Sequence, residues 1–363
     1  MNDVGISAIA TSAASSSTAS TLRAPFSPYL LSLLYPASVV AGNLLGGWYA
    51  GMGIILAFVI YPICDVAFGK DDKSPQLPLS PLLANGLILT QALLHFVAVT
   101  TLLLLVRSEA SNLFILLAVV STGVNSGLSM IVIAHELIHR ESRVQRGLGL
   151  VLLWTVSYLH FHIEHNRRHH HLYSNAGDPA TASMRESYWD HLPKTVVLQY
   201  LDAWRCDSEG GNSGLRNRVL HHSILILATW LVIWQVLGPA SLVVWLLQGL
   251  CGIAALEYAN FIFHWGLDHD SESDLDPDSW QILNRWSRWV TLRHTYHPDH
   301  HLNAGKRCYE LSAHATSPTL PSGFFGCLYL AGLPPLWLAV MQDRLPLNSI
   351  GSSVVVGTDG MVA

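Results

Sequence analysis

The sequence predicts an all-α integral membrane protein, a bundle of about six transmembrane helices with a histidine-rich helical cap at one end. Three observations carry this reading. Half of the 363 residues are hydrophobic, only 12% are charged and the mean hydropathy is +0.34, a balance typical of membrane chains rather than soluble ones. Six apolar runs are long enough to cross a bilayer at ~20 residues each. Nine histidines fall into four groups, two at the ends of such runs and two in the polar regions that follow them. The formal charge of -5 is small and dispersed, so there is no basic footprint for nucleic acid.

Residues 1–27 are rich in Ser, Ala and Thr and contain one basic residue, Arg23. They read as a disordered tail, because no apolar run flanked by positive charge is present to act as a signal peptide. Residues 28–344 form the membrane domain. Its first apolar stretch is too long for one span and is broken at Gly46 and Gly47, giving spans near 29–47 and 49–65. After the polar loop GKDDKSPQLP come spans near 82–106 and 112–134, a helical hairpin joined by RSEAS, and the second of them leads into HELIH. Gly147 to Phe161 is apolar but short, and reads as a buried or surface-lying helix. A polar region, 162–218, holds the second histidine group and the connector EGGNSG.

The last two convincing spans, near 219–237 and 241–263, end at His264. The run from Leu320 to Met341 contains three glycines and Pro334-Pro335, which suits an interfacial hairpin better than a seventh crossing. Residues 345–363 read as a flexible C-terminal tail. With six crossings every histidine group lies on one side, and of the 20 Lys and Arg only Arg107 lies on the other. The positive-inside rule then makes the histidine face cytoplasmic, in a bacterial inner membrane or the endoplasmic reticulum. Five scattered cysteines without a CxxC pair argue against a disulfide framework or a Cys-ligated metal.

The four groups are His135 and His139 in HELIH; His165, His169 and His170 in EHNRRHH; His264 in NFIFHWGL; and His297, His300 and His301 in HPDHH. On an α-helix, residues four apart share a face, which pairs His135 with His139 and His165 with His169. His297 pairs with His300 and His301 at spacings of three and four. Adjacent histidines diverge by ~100° and are free to serve different ions. Nine imidazoles exceed what one ion takes, whereas two ions with four or five nitrogens each account for the number. The ligand set by itself suits Zn, Cu, Ni or Fe alike.

Carboxylates placed to receive the second N–H of such ligands are Glu136, Glu164, Asp178, Glu257, Asp268 and Asp299. Of the remaining histidines, His95 lies mid-span and is expected to pair with a neighbouring polar group. His160, His162, His171 and His294 flank the groups. His191, His221, His222, His269 and His314 read as surface or interfacial residues.

HELIH, EHNRRHHHLYSNAGDPATAS, EYANFIFHWGL and HPDHHLNAGKRCYEL together resemble the integral-membrane alkane hydroxylases, the alkane 1-monooxygenase branch of the fatty-acid desaturase and hydroxylase superfamily. The resemblance runs from about Tyr29 onward. NFIFHWGL is its most specific element, since simple acyl desaturases carry the other three without it. Departures are Arg168 where a glycine is usual, Pro298 after His297, and tryptophan in place of tyrosine after His264.

The resemblance implies that the nine histidines hold two non-haem iron ions. These would activate O2 for hydroxylation of an unactivated C–H bond in an aliphatic or other apolar substrate drawn from the bilayer. It also implies a separate electron donor, rubredoxin- or ferredoxin-like, with an NAD(P)H reductase, because this chain has neither a CxxC pair nor a dinucleotide fingerprint. A redox metal suits attack on an alkyl chain better than a hydrolytic one. The substrate pocket is expected between the first four helices, lined by Leu45, Trp48 and Leu128. Rival readings are desaturation, epoxidation or oxidative decarboxylation on the same scaffold, an intramembrane zinc protease using HELIH with Glu136 as base, and a metal carrier.

Overall fold

The computed structural model describes residues 23–74, 76–108, 111–173, 177–267 and 279–345. Among these the chain is all-helical, and six helices are long and apolar enough to cross a membrane. They are α1 (Ser27–Leu45), α2 (Gly47–Ala67), α3 (Pro81–Arg107), α4 (Asn112–Ile138), and two that follow the polar region. Each starts or stops where the local chemistry requires it. Gly46, with φ of 66°, breaks α1 from α2, a left-handed turn that glycine enters without strain. Pro81 opens α3, where its missing N–H costs nothing. The Ser111 hydroxyl accepts the Phe114 N–H to cap α4.

Beyond α4, α5 (Arg143–Thr155) packs back on its last turns. The short α6 begins as an α-turn at Phe161–Glu164, is π-wound at His165–His169 and ends at His170–Leu172. Next come α7 (Tyr188–Glu209), closed at its start by a reciprocal Ser187–Asp190 capping box, then α8 (Arg218–Leu237) and α9 (Pro239–His264). Two short helices carry the last polar region, α10 (Arg285–Val290) and α11 (His297–Leu302). The helices α12 (Phe324–Gly332) and α13 (Pro334–Met341) follow. The segments Phe324–Gly332 and Pro334–Arg344 meet at a bend of 118°, so the run that contains Pro334-Pro335 turns back on itself.

The boundary that matters most is the end of α4. The sequence places the span at 112–134, but the helix continues without a break through His135 to Ile138, with His139 as its C-cap. The first histidine group is therefore rigidly part of the span.

Inside a bilayer helices gain little from apolar burial, so close approach and internal hydrogen bonds bind them. Gly123 and Gly127 of α4 lie against α9 so tightly that a Cβ on Gly127 would come within 2.2 Å of the Ala255 Cβ and 2.8 Å of the Gly252 carbonyl. Polar side chains pair across the spans. Asn43 donates to Thr101 and Thr122, the Ser126 hydroxyl to Gln248, and Gln248 to the Thr155 carbonyl. His95 meets the Thr155 hydroxyl at 2.8 Å, which is the polar partner expected for it. His191, expected at the surface, is instead fully buried in α7, whose inner face packs against α6 and α9. His269 lies outside the described residues.

Candidate metal centre

The four histidine groups converge at one end of the bundle and divide into two sets, one buried and one partly buried. His135, His139, His165, His170 and His300 form one; His169, His264, His297 and His301 form the other; within each set the ligand atoms lie within 4.8 Å of one another. The rings face each other through Nε2, with His135 to His165 at 2.7 Å, His170 to His165 at 3.1 Å and His300 to His170 at 3.1 Å. In the second set His264 and His301 each approach the His297 Nε2 at 3.0 Å.

Two pairings differ from those expected of α-helical spacing. His165 shares its set with His170, five residues on, and not with His169. The reason is local: a π-turn spans five residues per hydrogen-bonded ring, so positions five apart return to one face. In α11 the α-helical rule pairs His297 with His301, while His300 turns to the other set. The adjacent pairs His169-His170 and His300-His301 thus each bridge the two sets.

Burial, followed by the neighbouring imidazoles, pushes His165, His170, His297, His300 and His301 below the ordinary histidine value. Burial likewise brings His139 down to about 3. Neutral rings with lone pairs turned inward are the state that binds a cation. The Nε2 atoms of His139 and His169 are buried and have no hydrogen-bond partner in the protein. An orphaned acceptor of this kind is costly in an apolar surround, and a metal ion in each set would satisfy it. The residues fit a pair of imidazole-bound ions.

Of the carboxylates considered, Asp178 touches a clustered histidine directly. His169 Nδ1 donates to its Oδ2 at 2.9 Å, which leaves the His169 Nε2 lone pair facing the set. Burial opposes the Asp178 charge, but His169 and the Thr181 hydroxyl outweigh it and hold the carboxyl below its usual range.

The others have different partners. Glu136 forms an ion pair with Arg140 and accepts the Cys308 N–H at 3.0 Å. That engagement turns it from the role a protease base would need, and His135 and His139 belong to a five-imidazole set. Glu257 accepts from Tyr158, Thr195, Gln199 and Asn260, tying α9 to α7 and to the turn after α5. Asp299 accepts from Lys306 and the Ser312 N–H. Glu164 is fully buried, and burial with the nearby Asp178 pushes its carboxyl well up. Asp268 lies outside the described residues.

Beside the histidines is an apolar cavity of about 70 Å³, reached by His135, His165 and His297. Its walls come from α4 (Gly127, Ile131), α9 (Ala255, Ala259, Phe263) and Phe324 of α12. It therefore lies between α4 and α9, not among the first four helices. Leu45 and Trp48 are instead 65% and 72% exposed at the far turn between α1 and α2, where Trp48 packs edge-on against Phe114. Leu128 is buried in the core next to Gly127 but does not line this cavity. The wall residues carry no chemical signal in the sequence; only the α4–α9 crossing brings them to the histidines.

Six membrane-length helices and two polyhistidine sets beside an apolar cavity define a membrane-embedded protein of the histidine-box type. The chain matches the family model described as fatty acid desaturase over residues 110–326. It is 31% identical to alkane 1-monooxygenase 1 of Pseudomonas aeruginosa over 317 residues, 80% of this chain and 82% of that one. It is 28% identical to alkane 1-monooxygenase 1 of Alcanivorax borkumensis over 340 residues, 87% and 84% of the two chains. The xylene/toluene monooxygenase hydroxylase component of Pseudomonas putida is 27% identical over 84% of this chain and 85% of its own. The chain belongs to the fatty acid desaturase family, in its integral-membrane alkane hydroxylase branch. It is an integral membrane oxidoreductase.

Proposed function

We propose that the chain hydroxylates an unactivated C–H bond of an apolar substrate, using two iron ions held by the five-histidine and the four-histidine sets. The observation that carries this reading is the placement of both sets against one apolar cavity between α4 and α9. When bound, the iron pair would supply O2 activation, with one oxygen atom entering the C–H bond and the other leaving as water at the expense of two electrons and two protons.

The protein's own part is positioning and exclusion of water. Phe161, Phe263 and Phe324 wall the cavity and keep it dry, so that an apolar chain partitions into it from lipid. Asp178 fixes the His169 tautomer. Electrons come from a separate iron-sulfur donor, rubredoxin- or ferredoxin-like, served by an NAD(P)H reductase, and the histidine end faces the cytoplasm. The names of the oxygenase relatives favour hydroxylation over desaturation.

Metal analysis of the protein purified in detergent should give about two irons per chain. Incubation with alkanes of graded length, a reconstituted donor and labelled oxygen should yield a labelled alcohol. Stoichiometric zinc, or an alkene without label as the sole product, would overturn the proposal.

A further inference from the structure

Further along α9 from the histidine cavity, toward the middle of the helix, lies a second and larger cleft, of about 530 Å³. Its shaft is apolar, formed by Trp245, Leu246, Gly249 and Ile253 of α9, Val197 of α7 and Trp230 of α8. A smaller chamber of about 230 Å³ shares Ser157, His160, Tyr200 and Trp230 with it and extends it toward Ser223 and His222. Because α8 and α9 are antiparallel, Ser223 and His222 near the start of α8 lie at the membrane surface where α9 ends in His264. Trp245 to Ile253 sit in the middle of their span. The cleft thus runs along the membrane normal, hydrocarbon-like at depth and polar at the surface.

The polar collar is built rather than incidental. The Tyr200 and Ser223 hydroxyls meet at 3.0 Å. His160 lines both chambers, is almost wholly buried, and has no protein partner at Nε2. α8 packs on the bundle chiefly along α9, where Ile233 clusters with Trp245 and Val99. Along α8 only Val219 and Ile233 are buried, and the helix is tied to α5 through Trp154–Thr229 and to the turn after α5 through Trp230–Ser157. A space of this size within a bilayer fills with hydrocarbon, since water there would lack partners.

We propose that this cleft holds one acyl tail of a membrane phospholipid, with its ester group at the His160, Tyr200 and Ser223 collar, and that the lipid fills the space beside α8. The site is independent of the metal chemistry and of the reaction proposed above.

The full chain, purified in mild detergent and washed extensively, is assayed for phosphorus and by mass spectrometry of extracted lipid. About one phospholipid per chain is expected to remain. Leu246→Trp fills the shaft, and Tyr200→Phe with Ser223→Ala removes collar hydroxyls. Each should lower retention by roughly fivefold, the loss expected of about one hydrogen bond or its equivalent. Should Leu246→Trp not fold, the wild type and the collar variant decide. Absence of retained phospholipid in the wild type, undiminished retention in the variants that fold, or recovery of a free fatty acid or alkane in its place would overturn the assignment.

Discussion

Asp178 and His191 show how single buried groups set the properties of this protein. Asp178 holds the Nδ1–H of His169 and so directs Nε2 into the four-histidine set. Asp178→Asn is expected to weaken metal binding roughly 10- to 100-fold, as loss of such a partner does elsewhere, and metal titration of the variant checks it. His191 is buried without a partner at either ring nitrogen, and burial, aided by Lys194, holds it down at about 4. The unfolded chain takes up a proton below the ordinary value of 6.5 that the folded chain refuses until about 4. The stability this residue contributes is therefore full above pH 6.5 and is lost as pH falls through that window. His191→Phe should relieve about 2 kcal/mol of acid destabilisation at pH 5. Unfolding midpoints of metal-free wild type and variant at pH 7.5 and pH 5 provide the comparison, and equal pH dependence would contradict it.

At the scale of elements, two helices decide the site. The approach of α4 to α9 at Gly123, Gly127 and Gly252 carries His135 and His264 on helices that cannot separate without losing their contact. Gly127→Ala is expected to cost about 1–3 kcal/mol through overpacking. Gly147, which has open space around its Cβ position, provides the matched control as Gly147→Ala. Thermal unfolding and metal content of the two variants should diverge. The π-turn at His165–His169 is the other decisive element. Periodicity arguments assume α-winding, and under that assumption His165 and His169 share a face. The Arg168–Asp202 and Arg167–Asp207 pairs anchor this turn to α7.

For the whole molecule, the nine histidines come from α4, α6, α9 and α11, so metal binding joins elements far apart in the chain. An ion bound by the folded state alone stabilises it by about 2.7 kcal/mol at a hundredfold excess over its dissociation constant. Chelation is accordingly expected to lower the unfolding midpoint, and re-addition of ferrous iron to restore it. An unchanged midpoint would show that the sets hold no ion.

The sequence alone determined what is local. Spans are legible because twenty apolar residues must cross hydrocarbon whatever their neighbours. Histidines are conspicuous beside such runs because an imidazole there needs a partner. Tertiary structure alone decided the five-and-four division of the histidines, the choice of Asp178 among the carboxylates, and the cavity between α4 and α9 in place of one near Trp48. Those depend on helix winding and on the close contact of residues 130 positions apart, such as His170 and His300, and no local pattern encodes a contact across that distance.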